Sequence, residues 1–375
     1  MEPMLRFKAD DGSDFPDWEE MTLGELFYIS AGGDIDKNNC AVKQSKDYPY
    51  PIYANALVNG GLYGYTNYYK IDGDTFTVTG RGDVGHAVAR HCKYVPIVRL
   101  LVCRPNMDDD VDFFAEQINY TRIFTESTGV PQLTAPQLSK TKVKRPSLPE
   151  QRKIADLLSA VDDVIAAQEA EVAAWEKRKK GVMQKLFSQE VRFKADDGLD
   201  FPDWEEKTLG DICMYERQRS EGANFVGTEN MLKDFGGVTF DNSNADGSGT
   251  LYQPGDTLMS NIRPYLKKAW LADRKGTCST DVLVFHPTSV EPGYLYWLIA
   301  SDAFVRYVMS AAKGSKMPRG DKKHIMEMPL LLPNKDEQRK IDDCLSSLND
   351  VIIKAKNELA KWQELKKGLL QQMFV

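Results

Sequence analysis

A long helix that the chain contains twice constrains its fold more than any other feature. The first copy begins at Pro149-Glu150-Gln151-Arg152-Lys153-Ile154 and runs to about Phe187. The second begins at Asp336-Glu337-Gln338-Arg339-Lys340-Ile341 and runs to about Phe374. Half of the aligned positions are identical, among them Trp175/Trp362 and Lys179-Lys180-Gly181/Lys366-Lys367-Gly368. In the first copy Ile154, Leu158, Val161, Ile165, Gln168, Val172, Trp175, Lys179, Val182 and Leu186 recur at alternating steps of four and three. Ile341, Leu345, Leu348, Ile352, Ala355, Leu359, Trp362, Lys366, Leu369 and Met373 keep the same spacing. An apolar period of three and a half residues is the seam of a coiled coil. At about 1.5 Å per residue each helix spans roughly 55–60 Å. A helix that long with one apolar stripe needs a partner. The two stripes match over their full length, so each copy is the natural partner of the other. The alternative is two amphipathic helices packed on separate domains.

The duplication extends beyond the helices. Residues 6–24 read RFKADDGSDFPDWEEMTLG and residues 192–210 read RFKADDGLDFPDWEEKTLG, differing only at Ser13/Leu199 and Met21/Lys207. The chain is therefore a tandem repeat of shared segment, long middle and shared helix. The period is far too long for a solenoid, so the repeats are domains. The middles, 25–149 and 211–336, have nearly equal lengths and almost no residue-level similarity. Shared ends with unlike centres suggest one scaffold carrying two different readers. One local match survives: Gly73-Asp74-Thr75 aligns with Gly255-Asp256-Thr257, followed at equal distance by Arg81 and Arg263. Pro131 and Pro318 also stand at equal distances before the shared helix.

The middles read as α+β. Strand-like runs are Thr75–Thr79, Ile97–Val102, Thr257–Ser260 and Asp281–Phe285, with glycine-rich turns between them. Helical spacing of Tyr294, Leu298, Phe304 and Val308 predicts a short helix near Pro292–Met309. The fold class expected is α+β: two pseudo-symmetric domains joined by two long helices that form an antiparallel coiled coil. The boundaries are 1–149 and 191–336 for the domains, and 150–190 and 337–375 for the helices. With antiparallel helices the layout is circular, with a pseudo-two-fold axis across the coiled coil.

No apolar run approaches the length of a membrane span, and Met1–Arg6 lacks the apolar core of a signal peptide. Six scattered cysteines without a C-x-x-C pair argue against a zinc site or a disulfide framework, and fit a reducing cytoplasm. The net charge is −7, which at first argues against nucleic acid. Most of the excess acid, however, lies in residues 1–24 and 191–210, leaving both middles near neutral and able to carry a basic face.

Gly80-Arg81-Gly82-Asp83-Val84-Gly85 matches a dinucleotide-binding pattern, but a second strand-like run follows where a helix is required. A tight β-turn exposing Arg81 is the better reading. The second half has Ile262-Arg263-Pro264-Tyr265 there, keeping the arginine without the glycines. Phosphate-binding, methyltransferase and zinc-protease motifs are missing, and four isolated histidines make a histidine-based catalytic centre a poor expectation. Basic runs precede both shared helices: Lys140, Lys142, Lys144 and Arg145 in one half, and Lys313, Lys316, Arg319, Lys322 and Lys323 in the other. Either can be a solvated face; their recurrence raises the phosphate-contact reading. Gln132, Asn230 and Asn261 lie in loops from which they could read base edges.

These features together resemble the specificity subunit of type I restriction–modification systems. The resemblance rests on the helix entries Leu148-Pro149-Glu150-Gln151-Arg152 and Leu332-Pro333 through Arg339, on the W-x-x-x-K-K-G-x-x-x-x-F helix exits, and on Pro16 to Gly24 and Pro202 to Gly210. Gly80-Arg81-Gly82 with its nearby Val-Gly also resembles a loop of the family's target-recognition domains. The resemblance implies two target-recognition domains, each reading one half of a split asymmetric site in double-stranded DNA. The helices would act as a ruler for the unread spacer and bind two modification (methyltransferase) subunits. Two restriction subunits would complete the complex. S-adenosylmethionine, ATP and Mg would sit on those partners, with no catalytic centre, cofactor or metal in this chain. The DNA contacts expected are Arg81, Gly82, Gln132, Lys140, Lys142, Asn261, Arg263, Lys313, Lys316 and Arg319. A coiled-coil scaffold that binds only protein is the rival class; a self-contained restriction-methylation enzyme would need motifs that are missing.

Overall fold

The computed structural model describes residues 3–121, 132–240 and 247–374; Pro131 lies outside them. The heptad stretches are continuous helices, Leu148–Phe187 and Lys335–Met373, each beginning one residue earlier than the sequence suggests. The chain divides into two units, Met1–Glu169 with Asn357–Val375, and Ala170–Lys356.

In each unit the central sheet has four antiparallel strands in one topological order. In the first unit these are Phe27–Ala31, Leu100–Pro105, Thr75–Thr79 and Ala87–Arg90. In the second they are Cys213–Tyr215, Val282–Pro287, Thr257–Ser260 and Ala269–Leu271. Thr75–Thr79 and Thr257–Ser260 are buried at every position, as central strands covered on both faces should be. A smaller sheet accompanies each: Cys40–Ala41, Leu62–Thr66, Tyr50–Tyr53 and Val95–Pro96 in the first unit, and Arg219–Gly222, Gly247–Tyr252 and Gly276–Cys278 in the second.

The sequence run Ile97–Val102 splits: its strand begins at Leu100, after a turn closed by Leu100 N–H donating to the Ile97 carbonyl at 3.2 Å. The helix expected near Pro292–Met309 is two helices, Pro292–Ile299 and Asp302–Ser310. Ser301 breaks them apart by capping the second, its Oγ accepting from Phe304 N–H at 3.1 Å.

The shared segments form the same joint twice. Glu19–Thr22 pairs with Lys142–Arg145, and Glu205–Thr208 with Pro329–Leu332. Each leads through a capping box, Thr22 with Glu25 and Thr208 with Asp211, into one helical turn. Glu150, in the first turn of the first long helix, is fully buried. It accepts from Arg6 Nε at 3.1 Å, from the same guanidinium at 2.8 Å, and from Trp18 Nε1 at 3.1 Å. Glu337 is equally buried and takes Arg192 at 3.1 and 2.8 Å and Trp204 at 2.9 Å. The next residue repeats as well: Gln151 Nε2 donates to the Pro146 carbonyl at 2.9 Å and Gln338 Nε2 to the Pro333 carbonyl at 2.8 Å. Leu5 N–H bonds the Gln372 carbonyl in the first unit as Val191 N–H bonds the Lys185 carbonyl in the second.

Within each unit the two helices run antiparallel. In the first, Lys366 reaches Asp162 at 2.8 Å and Gln363 reaches Glu169 at 3.5 Å. In the second, Lys179 bonds Asn349 at 2.9 Å and Lys356 bonds Glu176 at 2.6 Å. Among the seam positions Ile154, Leu158, Val172, Ile341, Leu345 and Ile352 are buried, and Ile165, Trp175, Leu359 and Trp362 partly so. The helix ends also belong to the globular cores. Ile154, Leu158 and Met373 pack with Phe27, Phe76, Phe113 and Phe114; Leu186, Ile341 and Leu345 pack with Phe285, Tyr294 and Trp297.

Two stability measurements test this arrangement. Leu345→Ala is expected to cost the second unit about 2–5 kcal/mol in urea unfolding. Arg192→Ala, which strands the buried Glu337 carboxylate, is expected to cost about 3–5 kcal/mol. A loss well under about 1 kcal/mol for either would show that these contacts are not part of the framework.

Candidate nucleic-acid interface

In the first unit the glycine motif is the hairpin turn between Thr75–Thr79 and Ala87–Arg90. Gly80 has no room for a side chain: a Cβ there would lie 2.5 Å from the Arg99 carbonyl oxygen and 2.9 Å from that of Leu133. Asn55 fixes the turn, its Oδ1 accepting from Gly80 N–H at 2.6 Å and Arg81 N–H at 3.2 Å. Arg81 bridges in antiparallel fashion to Gln132, and Leu133 N–H bonds the Gly80 carbonyl at 2.8 Å. Arg81, Gly82 and Gln132 are thereby brought together, all exposed. Gly82 has a φ of +76° with nothing near its missing Cβ, so backbone freedom alone explains that glycine.

Arg99 joins this cluster, with no motif in the sequence to mark it. It sits at φ +69° in the turn before Leu100–Pro105, and its guanidinium donates to Gln132 Oε1 at 3.1 Å. Neither Arg81 nor Arg99 has a carboxylate partner among the described residues. Asn55 was equally hidden, since nothing in its neighbourhood marks it as the clamp of a turn in another strand pair.

The basic run before the first long helix is mostly committed elsewhere. Lys142 pairs with Glu20 at 2.7 Å, and Lys144 reaches the same carboxylate at 3.6 Å. Arg145 pairs at 2.8 Å with the buried Asp109, which also accepts from Gln151 Nε2. The Glu20 carboxylate raises the Lys142 ammonium above its ordinary value, chiefly by hydrogen bonding. The run therefore belongs to the joint between shared segments, with the Lys142 side chain still exposed beside Glu20. Lys140, at the end of the helix Ala135–Ser139, is exposed.

In the second unit the corresponding loop follows Thr257–Ser260. Ile262 bridges to Arg319, and Arg263 N–H bonds the Pro318 carbonyl at 2.8 Å. The loop thus holds the topological place of the Arg81 turn, with other chemistry. Asn261 is only 6% exposed and its Oδ1 is buried against Gly320, so it does not present itself to a ligand; the base-reading expectation for Asn261 is corrected. Asn230 is likewise buried, its Oδ1 accepting from Gly227 N–H at 2.8 Å as part of a turn. Arg263 is half-buried at φ +51°, with a buried Nε. Lys313 and Arg319 bridge to each other through their backbones. Lys313 pairs with Asp321 at 2.8 Å and Arg319 with Asp281 at 3.2 Å. Lys313, with the backbone amides of His324 and Lys323, holds the Asp321 carboxyl down at about 2. Lys316 is exposed, with no ion-pair partner among the described residues.

The histidines do not converge. His91 lies between Asp74 and Asp112 at 2.8 and 2.9 Å, His286 bonds Asp256 at 2.7 Å, and His324 stacks on Tyr307. Among the described residues no group of three or more His, Cys, Asp or Glu could hold a metal ion, and no helix is long and apolar enough to cross a membrane.

Two α+β units on one helical scaffold, with unlike edge loops in the same topological place, find their counterpart in one family. The type I restriction modification DNA specificity domain matches residues 16–174 and again 202–362, and the chain belongs to that family. The MjaVIII specificity subunit of Methanocaldococcus jannaschii is 22% identical over 72% of this chain and 70% of its own. The EcoDI specificity subunit of Escherichia coli is 21% identical over 96% and 88%. A putative type I specificity subunit of Mycoplasma pneumoniae is 29% identical, over about a third of each chain. The fold matches the type I restriction-modification S subunit of M. genitalium with a TM-score of 0.66 at 16% identity, covering 100% of this chain and 99% of that one.

The two glycines of the Arg81 turn separate space from conformation. Gly80→Ala is expected to destabilise the first unit by about 1–3 kcal/mol through the clash with the Arg99 backbone. Gly82→Ala is expected to cost about 1 kcal/mol through its positive φ alone. Urea unfolding checks both; equal and negligible losses would mean the turn is not packed as described.

Proposed function

We propose that this chain is the DNA-reading subunit of a type I restriction–modification complex. In this reading each unit recognises one half of a bipartite, asymmetric site in double-stranded DNA. The chain directs two modification (methyltransferase) subunits and two restriction subunits to that site. The observation that carries the proposal is a duplicated joint bearing unlike edges. The Arg6–Glu150–Trp18 and Arg192–Glu337–Trp204 contacts repeat bond for bond, while the Arg81 and Arg263 loops share a place and differ in chemistry. Such a scaffold suits two different half-sites. Exposed cations such as Lys316 would contact phosphates and set the register; side chains at the loop edges would specify the bases.

The long helices serve as the ruler. Helices of 40 and 39 residues are each about 60 Å long, against about 34–36 Å for a turn of B-DNA. Reaching a base inside a duplex requires flipping it out of the stack. That step, methyl transfer from S-adenosylmethionine, and the ATP- and Mg-dependent work of restriction fall to the partner subunits. This chain contributes position and sequence choice, without a catalytic centre of its own, in the cytoplasm.

Mapping methylated bases in cells that carry the chain with its modification subunit, with and without residues 211–336 exchanged for another reader domain, tests the proposal. One half of a split motif should change while the other half and the spacer persist. Loss of any motif, or a change in both halves together, would favour a scaffold that binds only protein. In binding assays with the complex, Lys316→Ala should lower the slope of log K against log salt by about one and leave the motif unchanged. An unaltered slope would remove Lys316 from the phosphate contacts.

A further inference from the structure

We infer that Arg99 is a specificity-determining residue of the first unit, and that with Arg81 it reads guanine in the half-site this unit recognises. The inference rests on the proposed DNA-reading function and adds to it a residue and a base.

Three observations converge on Arg99. Its backbone is left-handed, at φ +69°, in a position where glycine is the unstrained choice. An L residue with a long side chain is held there at a conformational cost, and such strain gathers at functional sites. The turn is held firmly: Val98 N–H bonds the Gly33 carbonyl at 3.1 Å, Leu100 N–H closes it, and the Arg99 carbonyl packs on Gly80, where only a glycine fits. The side chain is exposed and aimed. One of its two terminal nitrogens donates to Gln132 Oε1 at 3.1 Å, which orients the guanidinium and leaves its remaining N–H groups without partners among the described residues.

Gln132 is also the residue to which the Arg81 backbone bridges, so both arginines rise from one rigid platform of Gly80, Asn55 and Gln132. Elsewhere in this unit Arg6 and Arg145 are consumed by buried carboxylates. A planar guanidinium fork held in a fixed orientation matches the O6 and N7 acceptors that guanine presents in the major groove. A cation that served only to bind phosphate would need neither a fixed plane nor a strained backbone. Among the described residues the second unit has no such pair at the corresponding place: Arg263 is half-buried and Arg319 is engaged by Asp281.

The test uses the complex of the full chain with its modification subunit and duplexes carrying the methylated site. Each guanine is replaced in turn by 7-deazaguanine, which lacks the N7 acceptor. For the wild-type complex, one or two guanines, all in the same half of the site, should each cost about ten-fold in affinity. For Arg99→Ala at least one of those penalties should vanish, with the other half of the site read as before. Arg99→Lys should keep the salt dependence of binding and show a smaller guanine penalty, because an ammonium lacks the rigid planar fork of the guanidinium. Thermal melting of both variants controls for folding. If the complex binds a split site but no 7-deazaguanine is felt differently by wild type and Arg99→Ala, the guanine assignment is wrong and the function stands. If Arg99→Ala lowers the salt slope by about one and keeps every guanine penalty, Arg99 contacts only the phosphate backbone. If no split site is bound at all, both readings fall.

Discussion

A buried carboxylate at the start of each long helix governs the architecture. Glu150 and Glu337 have no exposed surface, and each is held by one arginine fork and one indole N–H. Taking a carboxylate out of water costs several kcal/mol, and only a well-oriented partner with additional hydrogen bonds offsets it. The arginine comes from the first residues of the shared segment and the tryptophan from about a dozen residues later, so a single carboxylate fastens the beginning of a unit to the beginning of its helix. The neighbouring glutamine fastens the helix to the proline segment before it. Everything between, about 120 residues, can then vary as long as it returns to the same joint. That is how two middles with almost no shared sequence keep one sheet order.

The same joint sets what the edges can do. The turn at Gly80–Arg81 and the loop at Asn261–Arg263 leave equivalent central strands and meet the segment before an equivalent short helix. In one, a glycine admits the backbone of a neighbouring turn and two arginines emerge. In the other, a proline and a left-handed arginine fill the space, and the nearby cations are tied to Asp281 and Asp321. Scaffold and edge loops thus vary separately on one fold, consistent with a family whose members share architecture at low identity.

The repeats, the helices and their seam could be read directly, because identity and a period of three and a half residues are local signals. Strands such as Thr75–Thr79 were legible for the same reason. The joint was not: Glu150 reads as an ordinary first-turn acid until Arg6, 144 residues earlier, is placed beside it. The pairing of the basic runs was hidden for a related reason. Lys142 finds Glu20 across 122 residues and Arg319 finds Asp281 across 38, so cations that look free in sequence are paired in the fold. Arg99 was hidden because Ile97 and Val98 read as strand and no glycine marks the turn. Asn261 is a loop residue, as it looked, but a buried one.

In the proposed function the helices convert a fixed length of protein into a fixed length of unread DNA. Removing one matched heptad from both, Ile165–Glu171 and Ile352–Glu358, keeps the seam in register and shortens the pair by about 10 Å, close to three base pairs. Mapping methylated bases with this variant, after confirming that both units fold, is the most direct measurement. Sites with the original spacer should no longer be methylated, and any new motif should keep both halves and alter the spacer. Methylation of the original sites at the original spacing by the folded variant would contradict the ruler.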